Sequence, residues 1–261
     1  MQTVGLYDYL FVEIGAKGIA LSGNLRYIPY NETNLVYKAA DAFYRAVGMT
    51  SEVRIRMHKH IPVQAGMGGG SGNAAGMVEG LNALYGNPLS FEQMYQICLN
   101  LGSDVPYFLR GGTVLCEGRG EIMTKLPDLP DCWLVLVKDR AGVSTKVAFA
   151  DIDADPHPPA FVCDGMVQAI NQGDLSKVCA CLGNSFLPSV SSRCPSVAQQ
   201  LQDLRAFSPH VCMTGSGSAV FAVFTDKAQA QACHRALFSK YPFVCITRPV
   251  DRGTIIIEDK E

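Results

Sequence analysis

Fourteen residues, Pro62 to Ala75 (P-V-Q-A-G-M-G-G-G-S-G-N-A-A), constrain this chain more than any other stretch. Gly66, Gly68, Gly69, Gly70 and Gly72 leave the segment few side chains to pack and much backbone to present. Glycine takes positive φ without a Cβ penalty, and a run of it lets backbone N–H groups crowd round an anion. The helical-looking run Ala74–Leu84 follows at once, and a helix N-terminus directs partial positive charge and free N–H groups into the same space. The stretch reads as a phosphate cradle, with Ser71 adding a hydroxyl for phosphate or Mg²⁺.

Other readings of such a loop exist. A Walker loop needs Gly-Lys followed by Ser or Thr, and no Lys lies between Pro62 and Ala75. A dinucleotide fingerprint needs strand, G-x-G-x-x-G, helix and a later acidic residue; Gly66, Gly68 and Glu79 fit that spacing only loosely. A flexible turn ahead of a helix is the plain alternative, because glycine alone signals no more than that.

A chain of 261 residues with 48% hydrophobic content is ample for one large or two moderate domains. A net charge of −2, with no block of like charges, provides no basic field for nucleic acid. The longest apolar runs, Ser218–Phe224 and Trp133–Val137, are strand-sized, and Met1 opens no charged-then-apolar leader, so a soluble, cytoplasmic protein without a membrane partner is expected. The ten cysteines stand mostly singly inside apolar segments, with no C-x-x-C pair, and read as small buried hydrophobes in a reducing compartment.

Along the chain, Val4–Ile14 alternates as a strand and Asn24–Asn34 is a polar, Pro-containing loop. Asn34 caps a helix whose face carries Leu35, Ala39, Ala42, Phe43 and Val47, and Gly48 stops it. Glu52–Ile61 alternates Val53, Ile55 and Met57 against Arg54, Arg56 and His58, a half-exposed strand leading into the glycine loop. His58 and His60 share a strand face with no third metal ligand evident, so they read as surface residues. Ser90 and Gln93 make a capping box for a helix through Leu101. Asp104 then sits in a turn closed by Pro106 among Val105, Tyr107 and Phe108, where desolvation would raise its pKa.

Strands are expected at Gly111–Cys116 and Trp133–Lys138, with Pro127, Asp128 and Pro130 marking a domain seam. The second half offers helices at Ser144–Asp153, Ala160–Gln172, Leu175–Leu182, Pro195–Arg205 and Lys227–Tyr241, and strands at His210–Met213, Ala219–Thr225 and Phe243–Thr247. A second glycine turn, Thr214–Ser218, joins two of these strands, and the pattern suggests an α+β sandwich.

The glycine loop resembles the P-x-x-x-G-L-G-G-G-S-S-N-A-A signature of the GHMP kinases. N-L-V-Y-K-A-A at Asn34–Ala40, G-S-D-V-P-Y-F around Asp104, V-S-T at Val143–Thr145 and M-T-G-S-G at Met213–Gly217 agree with that family in its order, so the resemblance covers nearly the whole chain. It implies an α+β, two-domain GHMP kinase fold: an ATP-binding domain over 1–126 resembling the ribosomal S5 second domain, and a ferredoxin-like domain over 127–261, with ATP in the cleft between them. It also implies ATP and Mg²⁺, and a small-molecule alcohol, a cytidine diphosphate-linked methylerythritol of the non-mevalonate isoprenoid route.

Residue by residue, the resemblance puts Pro62, Val63, Gln64, Ala65, Gly66, Met67, Gly68, Gly69, Gly70, Ser71 and Gly72 round the ATP phosphates, with Ser71 near Mg²⁺. It sets Asn34 and Lys59 by the adenine, and makes Asp104 the catalytic carboxylate. Thr145, Gly215, Ser216 and Gly217 would bind substrate, and Phe149 would flank the cytosine ring. Met67 replaces the family's Leu, Gly72 its second Ser, and Ser218-Ala219 its Pro-Thr. The family's P-A-K-x-N strand and D-G-Y-H segment have no match ahead of Met1-Gln2-Thr3-Val4, so Met1 is expected to be internal to a longer frame or to follow a truncation. Two alternatives accompany this reading: a nucleotide-binding remnant without turnover, and another small-molecule kinase of the same family.

Overall fold

The computed structural model describes residues 1–155 and 163–257, which form two compact units. The first combines residues 1–61, 69–125 and 250–257; the second combines 62–68 with the described residues of 126–249.

The first unit runs β1 (Tyr9–Ile14), β2 (Gly18–Gly23), α1 (Leu35–Val47), β3 (Glu52–His58), α2 (Gly69–Leu84), α3 (Phe91–Leu101), α4 (Val105–Arg110), β4 (Val114–Glu117) and β5 (Ile122–Lys125). Its three-stranded sheet has the order β1-β3-β2, antiparallel between β1 and β3 and parallel between β2 and β3, while β4 and β5 form a hairpin. The alternation foreseen for β3 is realised: Val53, Ile55 and Met57 are buried and pack against Ala39 and Phe43 of α1 and Met77, Val78 and Leu81 of α2. The caps foreseen for α1 are in place, with the Asn34 side chain accepting from the Val36 N–H at 2.9 Å and Gly48 closing the helix at φ 68°. The capping box of Ser90 and Gln93 also forms.

Several boundaries differ from the sequence reading. The first strand begins at Tyr9 rather than Val4, and β3 ends at His58 rather than Ile61, because the Asp8 carboxylate takes the N–H groups of His60 and Ile61 that a ladder would need. Helix α2 starts at Gly69, not Ala74, so three of the five glycines belong to its first turn. Packing explains this: a Cβ on Gly69 would stand 2.9 Å from Ile61 Cγ2, and one on Gly72 3.2 Å from the Phe108 ring. Asp104 lies in the turn foreseen for it, and that turn runs straight into the short helix α4 with Asp104 at the N-cap position; Pro106 is tolerated there because first-turn N–H groups lack intrahelical partners. The dinucleotide reading fails, since both neighbours of β3 precede it in the chain and Glu79 accepts the Thr254 hydroxyl.

The second unit continues with β6 (Trp133–Lys138), α5 (Thr145–Ala154), α6 (Asp164–Asn171), α7 (Leu175–Ala180), α8 (Leu187–Arg193), α9 (Pro195–Arg205), β7 (Val211–Met213), β8 (Val220–Phe224), α10 (Lys227–Leu237) and β9 (Phe243–Thr247). Its four strands run in the order β7-β8-β6-β9, with every pairing antiparallel. Val135 and Val137 of β6 meet Val220 and Ala222 of β8 and the apolar faces of α9 and α10. The expected helix from Ala160 is α6, and residues 160–162 lie outside the described part. The sequence reading missed β2, β5 and α8. All ten cysteines are free thiols, and no helix among the described residues is long and apolar enough to cross a membrane.

Candidate active site

In the first unit the chain approaches the glycine loop along β3. Lys59 is buried, its ammonium paired with the Asp8 carboxylate and donating to Asn73 Oδ1 at 2.9 Å. His60 carries its ring 4.7 Å from that of His58, tilted by 50°, and 5.6 Å from Tyr9, edge-on, so the three rings form a small aromatic cluster. Asn34 is engaged as a cap, its amide also donating to the Pro29 carbonyl at 2.7 Å. Gly69, Gly70, Ser71 and Gly72 form the first turn of α2, where N–H groups have no intrahelical acceptor.

Asp104 occupies the N-cap position of α4 yet makes no side-chain capping bond. No ion pair reaches it among the described residues. Oδ1 faces Gly120, where a Cβ would come within 3.2 Å. Desolvation raises its pKa above the ordinary aspartate value. A carboxylate with spare acceptor capacity and enhanced proton affinity is suited to general-base work.

In the second unit, residues 62–68 and the turn Thr214–Ser218 meet backbone to backbone. The Thr214 hydroxyl donates to the Gly66 carbonyl at 3.0 Å, and the Ala219 N–H donates to the Ala65 carbonyl at 3.1 Å. A Cβ on Gly66 would lie 2.1 Å from the Thr214 oxygen, and Gly66 itself holds φ +68°. Gln64, a non-glycine at φ 54°, accepts from the Val143 N–H at 3.3 Å and presses on Gly142. Below them the buried Lys138 ammonium donates to the carbonyls of Asp139 and Ala141, and desolvation lowers its pKa.

Two residues named from the sequence come together here: the hydroxyls of Thr145 and Ser216 are 2.9 Å apart. Phe149 lies one turn further along α5, more than half exposed, with its ring edge-on to Phe186 at 4.9 Å. Sequence reasoning missed Asn184, whose amide donates to the carbonyls of Met213 at 2.7 Å and Gly215 at 2.8 Å and so fixes the second glycine turn. It also missed Asp8. A lone Asn or Asp in a loop has no spacing signal that would distinguish it from a turn former.

Residues 34–112 match the family described as GHMP kinases N terminal domain, and residues 166–242 match GHMP kinases C terminal. A 4-diphosphocytidyl-2-C-methyl-D-erythritol kinase from Clostridium beijerinckii is 38% identical over 255 residues, 96% of this chain and 90% of that protein. The crystal structure of a 4-(cytidine 5'-diphospho)-2C-methyl-D-erythritol kinase superposes with a TM-score of 0.77 at 28% identity, covering 94% of this chain and 87% of the other. A homoserine kinase from Cytophaga hutchinsonii reaches a TM-score of 0.80 at 19% identity over 97% of this chain and 89% of its own, a likeness of fold alone.

Proposed function

This chain belongs to the GHMP kinase family, and we propose that it transfers the γ-phosphoryl group of ATP to the 2-hydroxyl of 4-diphosphocytidyl-2-C-methyl-D-erythritol. An ATP-dependent small-molecule kinase of the two-domain α+β GHMP fold is what the family membership establishes. The choice of alcohol rests on the substrate named for the Clostridium beijerinckii relative, at 38% identity over 96% of this chain.

In this reading residues 1–126 are the ATP-binding domain and 127–261 the second domain. Pro62 to Gly72 hold the ATP phosphates through backbone N–H groups, and the first turn of α2 adds its partial positive charge. The Ser71 hydroxyl is a proposed ligand for Mg²⁺, a hard cation that keeps several ligands from water and phosphate and needs few from protein. When bound, Mg²⁺ neutralises charge on the transferring phosphoryl group. Asn34 and Lys59 lie toward the adenine, while Thr145, Gly215, Ser216 and Gly217 hold the alcohol substrate and Phe149 flanks its cytosine.

Asp104 accepts the proton of the 2-hydroxyl as that oxygen attacks the γ-phosphorus. The observation that carries this step is the Asp104 carboxyl itself, free of a capping bond and raised in pKa by desolvation. The ten free thiols suit a reducing, cytoplasmic setting.

The test is ADP release from purified protein given Mg-ATP, with and without the diphosphocytidyl alcohol, beside an Asp104→Asn variant. Release that depends on the alcohol and is lost in the variant supports the proposal. ATP binding without any release would make the chain a nucleotide-binding remnant, and release with homoserine or mevalonate instead would reassign the substrate.

A further inference from the structure

We propose that Asp8 is a positioning residue for nucleotide binding, acting by pinning together the two ends of the glycine loop; this rests on the kinase reading above. The chain leaves the first unit at Ile61 and re-enters it at Gly69. Both ends meet at Asp8. One carboxylate oxygen accepts from the N–H groups of His60 at 2.7 Å and Ile61 at 2.8 Å, fixing the segment that leaves β3. The other pairs with the Lys59 ammonium, which donates to Asn73 Oδ1 at 2.9 Å inside α2 and so fixes the returning helix. Ile61 and Lys59 crowd the Gly69 backbone, at 2.9 Å and 3.2 Å from where its Cβ would stand.

The side chains of Asp8 and Lys59 are 0% and 5% exposed. An ion pair so deeply buried is costly to desolvate, and it is tolerated when its remaining donors and acceptors are bonded, as here. The Asp8 carboxylate has one ammonium and two backbone donors, and two of the ammonium's three hydrogens are engaged. Residues 62–68 are therefore strung between fixed points, which lowers the conformational entropy left to lose when the loop wraps a polyphosphate. The clamp touches no reacting atom, so it governs nucleotide affinity and leaves the Asp104 chemistry nearly alone.

The experiment compares wild type with Asp8→Asn, Lys59→Met and the double variant, measuring dissociation of a fluorescent ATP analogue, ATP KM and kcat, melting temperature, and amide hydrogen exchange across residues 60–68. Asp8→Asn should weaken the nucleotide by about tenfold or more while kcat changes by less than about threefold, and Lys59→Met should weaken it at least as much, since that lysine also lies toward the adenine in the proposed site. The double variant should be no weaker than the poorer single one, because two members of one unit are not additive. Exchange at His60 and Ile61 should quicken in Asp8→Asn.

A lower melting temperature with unchanged affinity in Asp8→Asn would reduce Asp8 to a structural role and overturn the proposal, as would a loss confined to Lys59→Met, which would leave the lysine acting on the nucleotide without the carboxylate. Should Asp8→Asn fail to fold, the double variant, which strands no charge, decides the matter: wild-type affinity in it overturns the clamp. A wild type that binds no ATP sinks the kinase reading and the clamp together, whereas wild-type turnover with indifferent variants sinks the clamp alone.

Discussion

The Thr214 hydroxyl donates to the Gly66 carbonyl at 3.0 Å, so the two glycine turns, 148 residues apart in sequence, are one piece of backbone in space. Neither turn has room for a side chain at the contact: a Cβ on Gly215 would stand 2.6 Å from the Gly66 oxygen, and one on Gly66 2.1 Å from the Thr214 oxygen. Gly66→Ala should therefore destabilise the protein by more than about 2 kcal/mol and raise the ATP KM, since it adds both a clash and a positive-φ penalty. Gly80→Ala is the matched control within α2, where a Cβ meets nothing within 4 Å. It should stabilise by about 0.5–1 kcal/mol through helix propensity alone. Urea unfolding of the two variants checks both signs; equal effects would refute the contact argument.

In the proposed mechanism Asp104 links catalysis and stability in opposite senses. Its carboxyl is raised in pKa by desolvation, so the folded protein holds that proton more tightly than the unfolded chain does. The stability tied to this group is complete below the ordinary aspartate range and is lost as pH rises through the raised value. Asp104→Asn should thus melt higher than wild type at neutral pH, and that advantage should vanish in acid. Activity runs the other way: kcat should fall by about 10² to 10⁴ in the variant. The acid limb of the wild-type profile should lie above the ordinary carboxylate range. Melting curves and kcat/KM measured across pH test the two halves separately.

What the sequence disclosed follows from which interactions are local. Helix α1 was legible to the residue because Asn34 and Gly48 cap it with their own backbone neighbourhood, and β3 because its alternation records one buried face. Thr145 and Ser216, both named from the family motifs, bring their hydroxyls within 2.9 Å across 71 residues of chain, a contact that no local spacing records. The start of α2 was hidden because glycine propensity argues against a helix, and only Ile61, Lys59 and Phe108 supply the packing that overrides it. Asp8 and Asn184 were invisible for a similar reason. Each acts on residues far along the chain, Asp8 on Lys59 and Asn184 on Met213 and Gly215, and no periodicity announces such a bond.

Trp133, the single tryptophan, reports on the second unit. Lys227 and Arg248 lie over its ring at 5.1 Å and 4.9 Å, and Arg248 also reaches the exposed carboxylate of Asp131 at 2.7 Å. Lys227→Ala and Arg248→Ala should each cost about 0.5–1 kcal/mol, in the usual range for partly exposed cation–π contacts. Asp131→Ala should cost less than about 0.5 kcal/mol, because its ion pair is solvated. Unfolding followed by tryptophan emission would measure all three, and a larger loss at Asp131 than at Arg248 would show that the ion pair, not the ring, holds the arginine.

Asn184 offers the sharpest contrast between two small substitutions. Its amide nitrogen donates to the carbonyls of Met213 and Gly215, while its Oδ1 accepts from the Phe186 N–H at 2.9 Å, the residue that also backs Phe149. Asn184→Ala removes all three bonds and leaves two carbonyls to find water, at about 1–3 kcal/mol. Asn184→Asp keeps the acceptor and the shape but turns a second negatively charged oxygen toward two carbonyl oxygens, so it should be the worse of the pair at neutral pH. As acid protonates the new carboxyl it regains one donor, and the gap between the variants should narrow. In both, the alcohol KM should rise more than kcat falls, because the turn carrying Gly215 and Ser216 is loosened while Asp104 is untouched. Steady-state kinetics at two pH values decide it: an aspartate variant that matches or exceeds the alanine one at neutral pH would mean that the amide donors do not hold the turn.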